Sequence, residues 1–273
     1  MDSILSLSQL PIVPHICDAK SPSVFISYSW DNDAHKEWVA IFGRKLCELG
    51  ISVDIDINHN GETTFSDFMS KGINENRFVI CVLSSSYIDK INSKEQNGVL
   101  YEFAEIKKRC RTKEAFEAFA IPIIKNNNIE PFLNKLPCNF QDIHCWNFDS
   151  QKEACVSFAK IVARLLSFNN FLLSLQNTSQ QDDIQHISDK FYKLVADYWV
   201  TELYSEEAKR LKNEILSIFS MQKEKKTLSS QASHLDLSQN QFDKVTNSIG
   251  KWDDSYEGDR EIIAFLAGDS DNE

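Results

Sequence analysis

Long hydrophobic runs are missing from this sequence. Its longest uninterrupted apolar stretch is Phe78 to Leu83, whereas a helix that crosses a bilayer needs about 20 such residues. The N-terminus lacks the basic start of a secretory signal. We therefore expect a cytoplasmic protein that does not cross a membrane.

Paired cysteine motifs are also missing. The seven cysteines are odd in number, irregularly spaced and without a C-x-x-C, which indicates reduced thiols rather than a disulfide framework or a zinc site. His144 next to Cys145 is the nearest approach to a metal-ligand pair, but neighbours on a strand point to opposite faces. We predict no metal site and no cofactor.

Positive charge is scarce. The net charge of −11 argues against general nucleic-acid binding, which needs clustered Lys and Arg. From Ser167 onward, 11 basic and 19 acidic residues account for −8 of this total. Residues 168–273 carry helical patterns without strands, and we interpret them as an acidic, all-helical extension.

Short β-rich runs alternate with helical patterns through the first part of the chain. Such alternation predicts an α/β domain with a doubly wound parallel sheet over residues 21–167, preceded by an N-terminal tail at 1–20. Gly50 is predicted to stop the first helix just before the second strand. The five predicted strands are residues 24–29, 51–56, 78–83, 119–124 and 143–148.

The second strand has a polar face. Asp54 and Asp56 alternate with Val53 and Ile55, a pattern that is unusual for a parallel strand covered on both faces and that predicts an edge strand. Asp56 lies nearer the carboxyl end. It could reach a crevice there, or be a solvated edge charge that discourages strand pairing.

Open α/β sheets bind ligands beyond the carboxyl ends of the strands, at the point where the strand order reverses. If strands two and three flank strand one, the crevice lies between the loops 29–33 and 84–93. The first of these loops lacks glycine, so neither dinucleotide nor Walker phosphate loops are present.

The loop 84–93 leads into a predicted helix over 93–108 that carries Glu102. At 100° per residue, Glu102 lies about 40° from the buried position Ile106, so we expect it to border the core without entering it. A carboxylate beside a crevice is a catalytic candidate. A solvated helical glutamate is the alternative.

Three short segments stand out in this order: V-F-I-S-Y-S-W-D at 24–31, Lys-Glu-Trp at 36–38 and G-V-L-Y-E ending at Glu102. Together they resemble the SEFIR branch of the Toll/interleukin-1-receptor (TIR) superfamily. The resemblance covers about residues 22–166 and implies a flavodoxin-like five-stranded sheet. Some members are scaffolds that pair with like domains. Many bacterial members cleave NAD⁺ at the nicotinamide–ribose bond, often in antiphage defence.

In the cleaving members the catalytic residue is a glutamate in the helix after strand three, and Glu102 matches that position. Many TIR enzymes have a tryptophan shortly before this glutamate, whereas Gly98 to Tyr101 contains none. The resemblance thus implies an NAD⁺ glycohydrolase or cyclase with NAD⁺ as its substrate, activated by self-association, and we add a phage-derived trigger as an expectation. The alternative is a non-catalytic scaffold.

One carboxylate suffices for this chemistry. Ordinary glycosidases need a second carboxyl group to protonate the leaving alkoxide, but nicotinamide leaves NAD⁺ as a neutral amine. A single carboxylate can then stabilise the positive charge that develops on the ribose.

Substrate-binding candidates surround the predicted crevice. Tyr28 and Trp30 could stack on the nicotinamide or adenine ring, and Ser29 with Asn32 could hydrogen-bond ribose or phosphate. The alternative places Tyr28 in the core, Ser29 in a turn, and a helix cap at Asp31 or Asp33. Asp56, Phe65 and Tyr101 complete the candidates.

Overall fold

The computed structural model describes residues 22–56, 64–125, 134–136, 144–176 and 181–229. The predicted tail at 1–20 and the end of the extension beyond residue 229 lie outside this range. The chain divides into two compact units that meet between Phe168 and Asn169.

Five parallel strands form the sheet of the first unit, in the order β2-β1-β3-β4-β5. This order confirms the doubly wound, flavodoxin-like fold, and β2 is an edge strand as its polar face predicted. The strands are β1 (Ser23–Tyr28), β2 (Ser52–Asp54), β3 (Phe78–Leu83), β4 (Ala120–Ile124) and β5 (Trp146–Asn147).

Helices connect the strands and continue into the second unit. The helices of the first unit are α1 (Asp33–Glu48), α2 (Phe65–Glu75), α3 (Ser85–Ile91), α4 (Gly98–Arg109), α5 (Lys113–Phe119) and α6 (Gln151–Leu165). Helix α7 (Phe168–Leu175) spans the boundary, and α8 (Gln181–Val200) and α9 (Glu206–Ser229) follow. The described part of the second unit is helical, as the sequence predicted.

The end of α1 follows the predicted stop signal. Gly50 has φ +81°, a conformation that glycine adopts without the steric cost that a Cβ would bring. Its N–H donates to the Cys47 carbonyl at 2.9 Å, which satisfies one of the last open acceptors of α1. The chain then turns directly into β2.

The connection after β3 differs from the predicted one. A single helix over 93–108 was expected, but the structure has two helices, α3 and α4. Ser84 caps α3 by accepting from the Tyr87 N–H at 3.1 Å, and Asn97 caps α4. The predicted loop 84–93 therefore carries a helix.

Helices cover both faces of the sheet. On one face, Gly72 of α2 packs directly against the Phe25 ring of β1. On the other, the Phe42 ring of α1 lies 5.6 Å from Phe148 and 5.8 Å from Phe158 of α6, centroid to centroid. Because β1 and β3 are covered on both sides, their residues are almost all apolar and buried.

Within the described ranges, no single helix is long and apolar enough to cross a membrane. The consecutive helices α6 and α7 reach that length and apolarity only when they are taken together.

Candidate functional site

Glu102 lies in the second turn of α4 and is 7% exposed. Its Oε2 atom accepts a hydrogen bond from the Ser27 hydroxyl on β1. The prediction that Glu102 borders the core without entering it was wrong. The helical angle described α4 alone, whereas β1 supplies a buried polar partner that makes burial of the carboxyl tolerable.

The hydrogen bonding continues inward from Ser27. Its Oγ lies 3.0 Å from the Tyr87 hydroxyl of α3, and Tyr87 in turn hydrogen-bonds the Cys81 thiol of β3. All four side chains are buried. Such chains polarise one another in a low dielectric and hold their members in defined positions, so Glu102 is fixed from the sheet side.

Burial controls the protonation of this carboxyl. Desolvation raises the pKa of Glu102 to about 8, and the nearby charge of Asp56 raises it as well, while the hydrogen bond from Ser27 lowers it. The carboxyl is therefore mostly protonated at neutral pH in this conformation. It becomes a carboxylate when the pH rises or when a cation is placed beside it.

Asp56 accepts hydrogen bonds from two of the residues that were predicted to stack on a substrate ring. The Trp30 indole N–H donates to its Oδ2 atom, and the Tyr28 hydroxyl hydrogen-bonds the same carboxylate. Burial raises the pKa of Tyr28 well above its usual value, and the charge of Asp56 adds to this. Asp56 thus lies at the crevice rather than being only an edge charge.

Trp30 offers an open aromatic surface at the same place. The side chain is 58% exposed, and the Lys36 ammonium lies 4.5 Å from its ring centroid. An exposed indole offers a face on which an aromatic ring of a ligand could stack. The structure therefore brings Tyr28, Trp30 and Asp56 together beside Glu102, which raises the pKa of Tyr28 when it is ionised.

Ser29 lies at the carboxyl end of β1, on the other rim of the crevice, and is fully buried. Its Oγ is 2.9 Å from the Ser86 Oγ of α3 and accepts a hydrogen bond from the Lys90 ammonium at 2.7 Å. Ser29 is therefore part of a polar contact between the two predicted crevice segments.

Asn32 and Tyr101 are not part of this arrangement. Asn32 caps α1, accepting from the His35 N–H at 2.9 Å, so the cap falls on neither Asp31 nor Asp33. Tyr101 is 37% exposed and acts electrostatically on Lys108 instead. Phe65 is the first residue of α2, and its side chain lies outside the described part of the structure.

Sequence reasoning missed Ser27, Tyr87 and Lys90. Ser27 was detectable as a hydroxyl between two buried apolar positions of a strand, since such a group needs an internal partner. Lys90 was hidden because the segment around it was interpreted as a loop. Among the described residues no cluster of three His, Cys, Asp or Glu side chains could hold a metal ion.

Comparison with known proteins identifies the domain. A sequence model for the family described as the TIR domain matches residues 24–162, which is half of the chain. The chain belongs to the TIR-domain family. The matched range of this TIR domain contains β1 to β5 and the whole crevice, whereas its assignment to the SEFIR branch stays a prediction.

Among curated proteins there was no match. One solved structure that matches is the "activated Roq1 resistosome directly recognizing the pathogen effector XopQ (TIR domains)", with 20% identity and a TM-score of 0.32. That match covers 72% of this chain and 98% of the other. Family membership rests on the sequence model and not on this similarity.

Proposed function

We propose that this TIR protein cleaves NAD⁺ at the nicotinamide–ribose bond, with Glu102 as the catalytic residue. The observation that carries the proposal is the position of Glu102, which is buried beside the switch-point crevice and hydrogen-bonded to Ser27. Carboxyl groups with strongly shifted pKa values cluster at functional sites. The resemblance of G-V-L-Y-E to the enzymatic members supports the same residue.

The reaction needs one negative charge beside the ribose. As the bond to nicotinamide breaks, its electron pair stays on the ring nitrogen and positive charge moves to the anomeric carbon. A carboxylate at Glu102 would stabilise that charge. Water then adds its oxygen to the anomeric carbon and releases a proton; in a cyclase, a nitrogen of the adenine ring takes the place of water.

Glu102 must lose its proton before it can act in this way. The nicotinamide ring of NAD⁺ is a cation, and a nearby cation lowers the pKa of a carboxyl. Substrate binding would therefore oppose the effect of burial. Asp56 and Ser27 act on the same proton in opposite directions, since Asp56 raises the pKa of Glu102 and Ser27 lowers it.

The burial of Glu102 also fits a latent site. A 7% exposed carboxyl presents little surface to a substrate, so the helix or its neighbours must move before the ribose can reach it. We propose that self-association of the TIR domain produces this change in the cytoplasm. NAD⁺ depletion in response to a phage-derived trigger would then be the biological outcome.

A nicotinamide-release assay tests the catalytic proposal. The purified full-length protein is incubated with NAD⁺ over a wide range of protein concentrations. We expect activity per molecule to rise with concentration as the domains associate. Absence of nicotinamide release at every concentration, in a protein that is seen to oligomerise, would overturn the proposal.

The same burial favours a second candidate function. A TIR domain whose Glu102 never leaves Ser27 would be a scaffold that acts through contacts with like domains. In that case the protein would associate without consuming NAD⁺. Both candidates associate, so nicotinamide release by samples that light scattering shows to be oligomeric separates them.

A further inference from the structure

Lys90 lies on the crevice side of α3. Ser86 and Lys90 are four residues apart, so they share one face of the helix. The Lys90 ammonium donates to the Ser29 Oγ at 2.7 Å, and that Oγ lies 2.9 Å from the Ser86 Oγ. One cation and two hydroxyls therefore meet where β1 ends and α3 begins.

The charge of Lys90 is not balanced by a neighbouring acid. Within the described ranges no carboxylate forms an ion pair with Lys90, and the adjacent Asp89 pairs with Lys135 at 3.2 Å. An ammonium group has three hydrogens to donate, and the hydrogen bond to Ser29 uses one. A half-buried cation that faces neutral hydroxyls has capacity for an anion.

We infer that Lys90, with the hydroxyl of Ser86, forms an anion-binding site for the diphosphate of a dinucleotide. The inference rests on the proposed function for the identity of the natural ligand, but not for the site itself. Ligands of open α/β sheets lie at the carboxyl ends of the strands. Trp30 follows the carboxyl end of β1, and Lys90 lies on α3, which follows the carboxyl end of β3. A dinucleotide could then place its diphosphate at Lys90 and its ring systems near Trp30 and Glu102.

A cation at the position of Lys90 would also offset the negative charge of the crevice. Residues 1–166 have a net charge of −3, with 18 basic and 21 acidic residues, and Asp56 lies in the crevice, where Glu102 adds a second negative charge once it loses its proton. A diphosphate would be repelled there unless a cation compensated the local field. Lys90 supplies that cation. The exposed Lys107 lies five residues beyond Glu102 on α4, near Arg109, whose guanidinium donates to the Asn76 carbonyl just before β3.

The test measures binding of inorganic pyrophosphate to the full-length protein by calorimetry. We compare the wild type with Lys90→Met, which keeps the aliphatic stem, and with Lys90→Arg, which keeps the charge. Lys107→Met serves as the matched control, since it removes an equal charge outside the crevice. Lys90→Gln is a second neutral variant, and thermal unfolding reports whether each protein is folded.

We expect Lys90→Met and Lys90→Gln to weaken pyrophosphate binding about 10-fold to 100-fold. Lys90→Arg and Lys107→Met should bind like the wild type, and inorganic phosphate should bind more weakly than pyrophosphate. A wild type that does not bind pyrophosphate, or folded neutral variants that bind it equally well, would overturn the inference. Equal affinities for phosphate and pyrophosphate would contradict the diphosphate assignment.

Failure of this site and failure of the proposed catalysis give different results. If pyrophosphate binding depends on Lys90 but nicotinamide is never released, the anion site stands and the catalytic proposal fails. If nicotinamide is released and Lys90→Met changes neither KM nor pyrophosphate binding, the catalytic proposal stands and the anion site fails. With both correct, Lys90→Met raises KM for NAD⁺ more than it lowers kcat.

Discussion

Ser27 on β1 donates a hydrogen bond to Glu102 on α4, and this bond joins the central region of the sheet to the helix that carries the candidate catalytic carboxyl. Both residues are buried. The pKa of Glu102 rises because the carboxyl is desolvated, and the Ser27 hydrogen bond opposes that rise. Substitutions of the residues around Glu102 should therefore change its pKa measurably.

The first prediction concerns stability. With a pKa of about 8 in the folded protein against 4.5 as the ordinary value, Glu102 keeps a proton between these pH values that the unfolded chain has lost. The free energy of unfolding should therefore fall as the pH rises through this window. Glu102→Gln removes the effect, so at pH 8 the variant should be more stable than the wild type by on the order of 2 kcal/mol.

Urea denaturation of the two proteins at pH 5 and pH 8 measures this difference. Glu105→Gln, on the same helix, should follow the wild type, because Glu105 pairs with the exposed ammonium of Lys108 and not with Ser27. If Glu102→Gln lost stability with pH as steeply as the wild type, the protonated state of Glu102 would be excluded.

The second prediction concerns Ser27 and the pH dependence of catalysis. The plot of kcat/KM against pH reports the ionisation of the free enzyme, so activity should rise with pH as Glu102 loses its proton, with its midpoint at about pH 8. Ser27→Ala removes the interaction that favours the carboxylate. The rise should therefore move to higher pH, whereas Ser23→Ala, at the other end of β1, should leave it in place.

The third prediction concerns Asp56. Its charge raises the pKa of Glu102, so Asp56→Asn should move the rise in kcat/KM to lower pH, opposite to the effect of Ser27→Ala. Asp54→Asn is the matched control, since Asp54 lies two residues before Asp56, at the end of β2, and accepts a hydrogen bond from Asn76 at 2.7 Å. Shifts of equal sign for Ser27→Ala and Asp56→Asn would rule out opposite effects of Ser27 and Asp56 on the pKa of Glu102.

The fourth prediction tests the packing beneath the site. A Cβ on Gly72 of α2 would lie 2.4 Å and 2.7 Å from two atoms of the Phe25 ring, closer than carbon atoms can approach. Phe25 is 1% exposed and has no room to retreat. Gly72→Ala should cost about 1–3 kcal/mol of stability in urea denaturation, while Lys71→Ala, exposed on the same helix, should cost well under 1 kcal/mol.

The fold was accessible to sequence reasoning because its signals are local. Apolar runs gave the five strands, the helical stripe of α1 ended at Gly50 as predicted, and the alternation of Asp54 and Asp56 with apolar residues placed β2 at an edge. Each of these signals depends on the period of a single element. The parallel strand order then followed from the family resemblance.

The interior of the site was not accessible in this way. The burial of Glu102 depends on Ser27 and Tyr87, which come from two other elements and are 75 and 15 residues away in the sequence. A helical wheel contains no such partner and therefore placed Glu102 at the rim. Lys90 was overlooked for a related reason, because the short helix α3 has few residues to display a period.

The most direct test of the central claim compares nicotinamide release by the wild type, Glu102→Gln and Glu105→Gln under conditions in which all three proteins associate. Loss of one electrostatic stabiliser lowers turnover about 10²-fold to 10³-fold, so Glu102→Gln should fall by at least that factor while Glu105→Gln keeps wild-type turnover. If Glu102→Gln released nicotinamide as fast as the wild type, Glu102 would not be the catalytic residue.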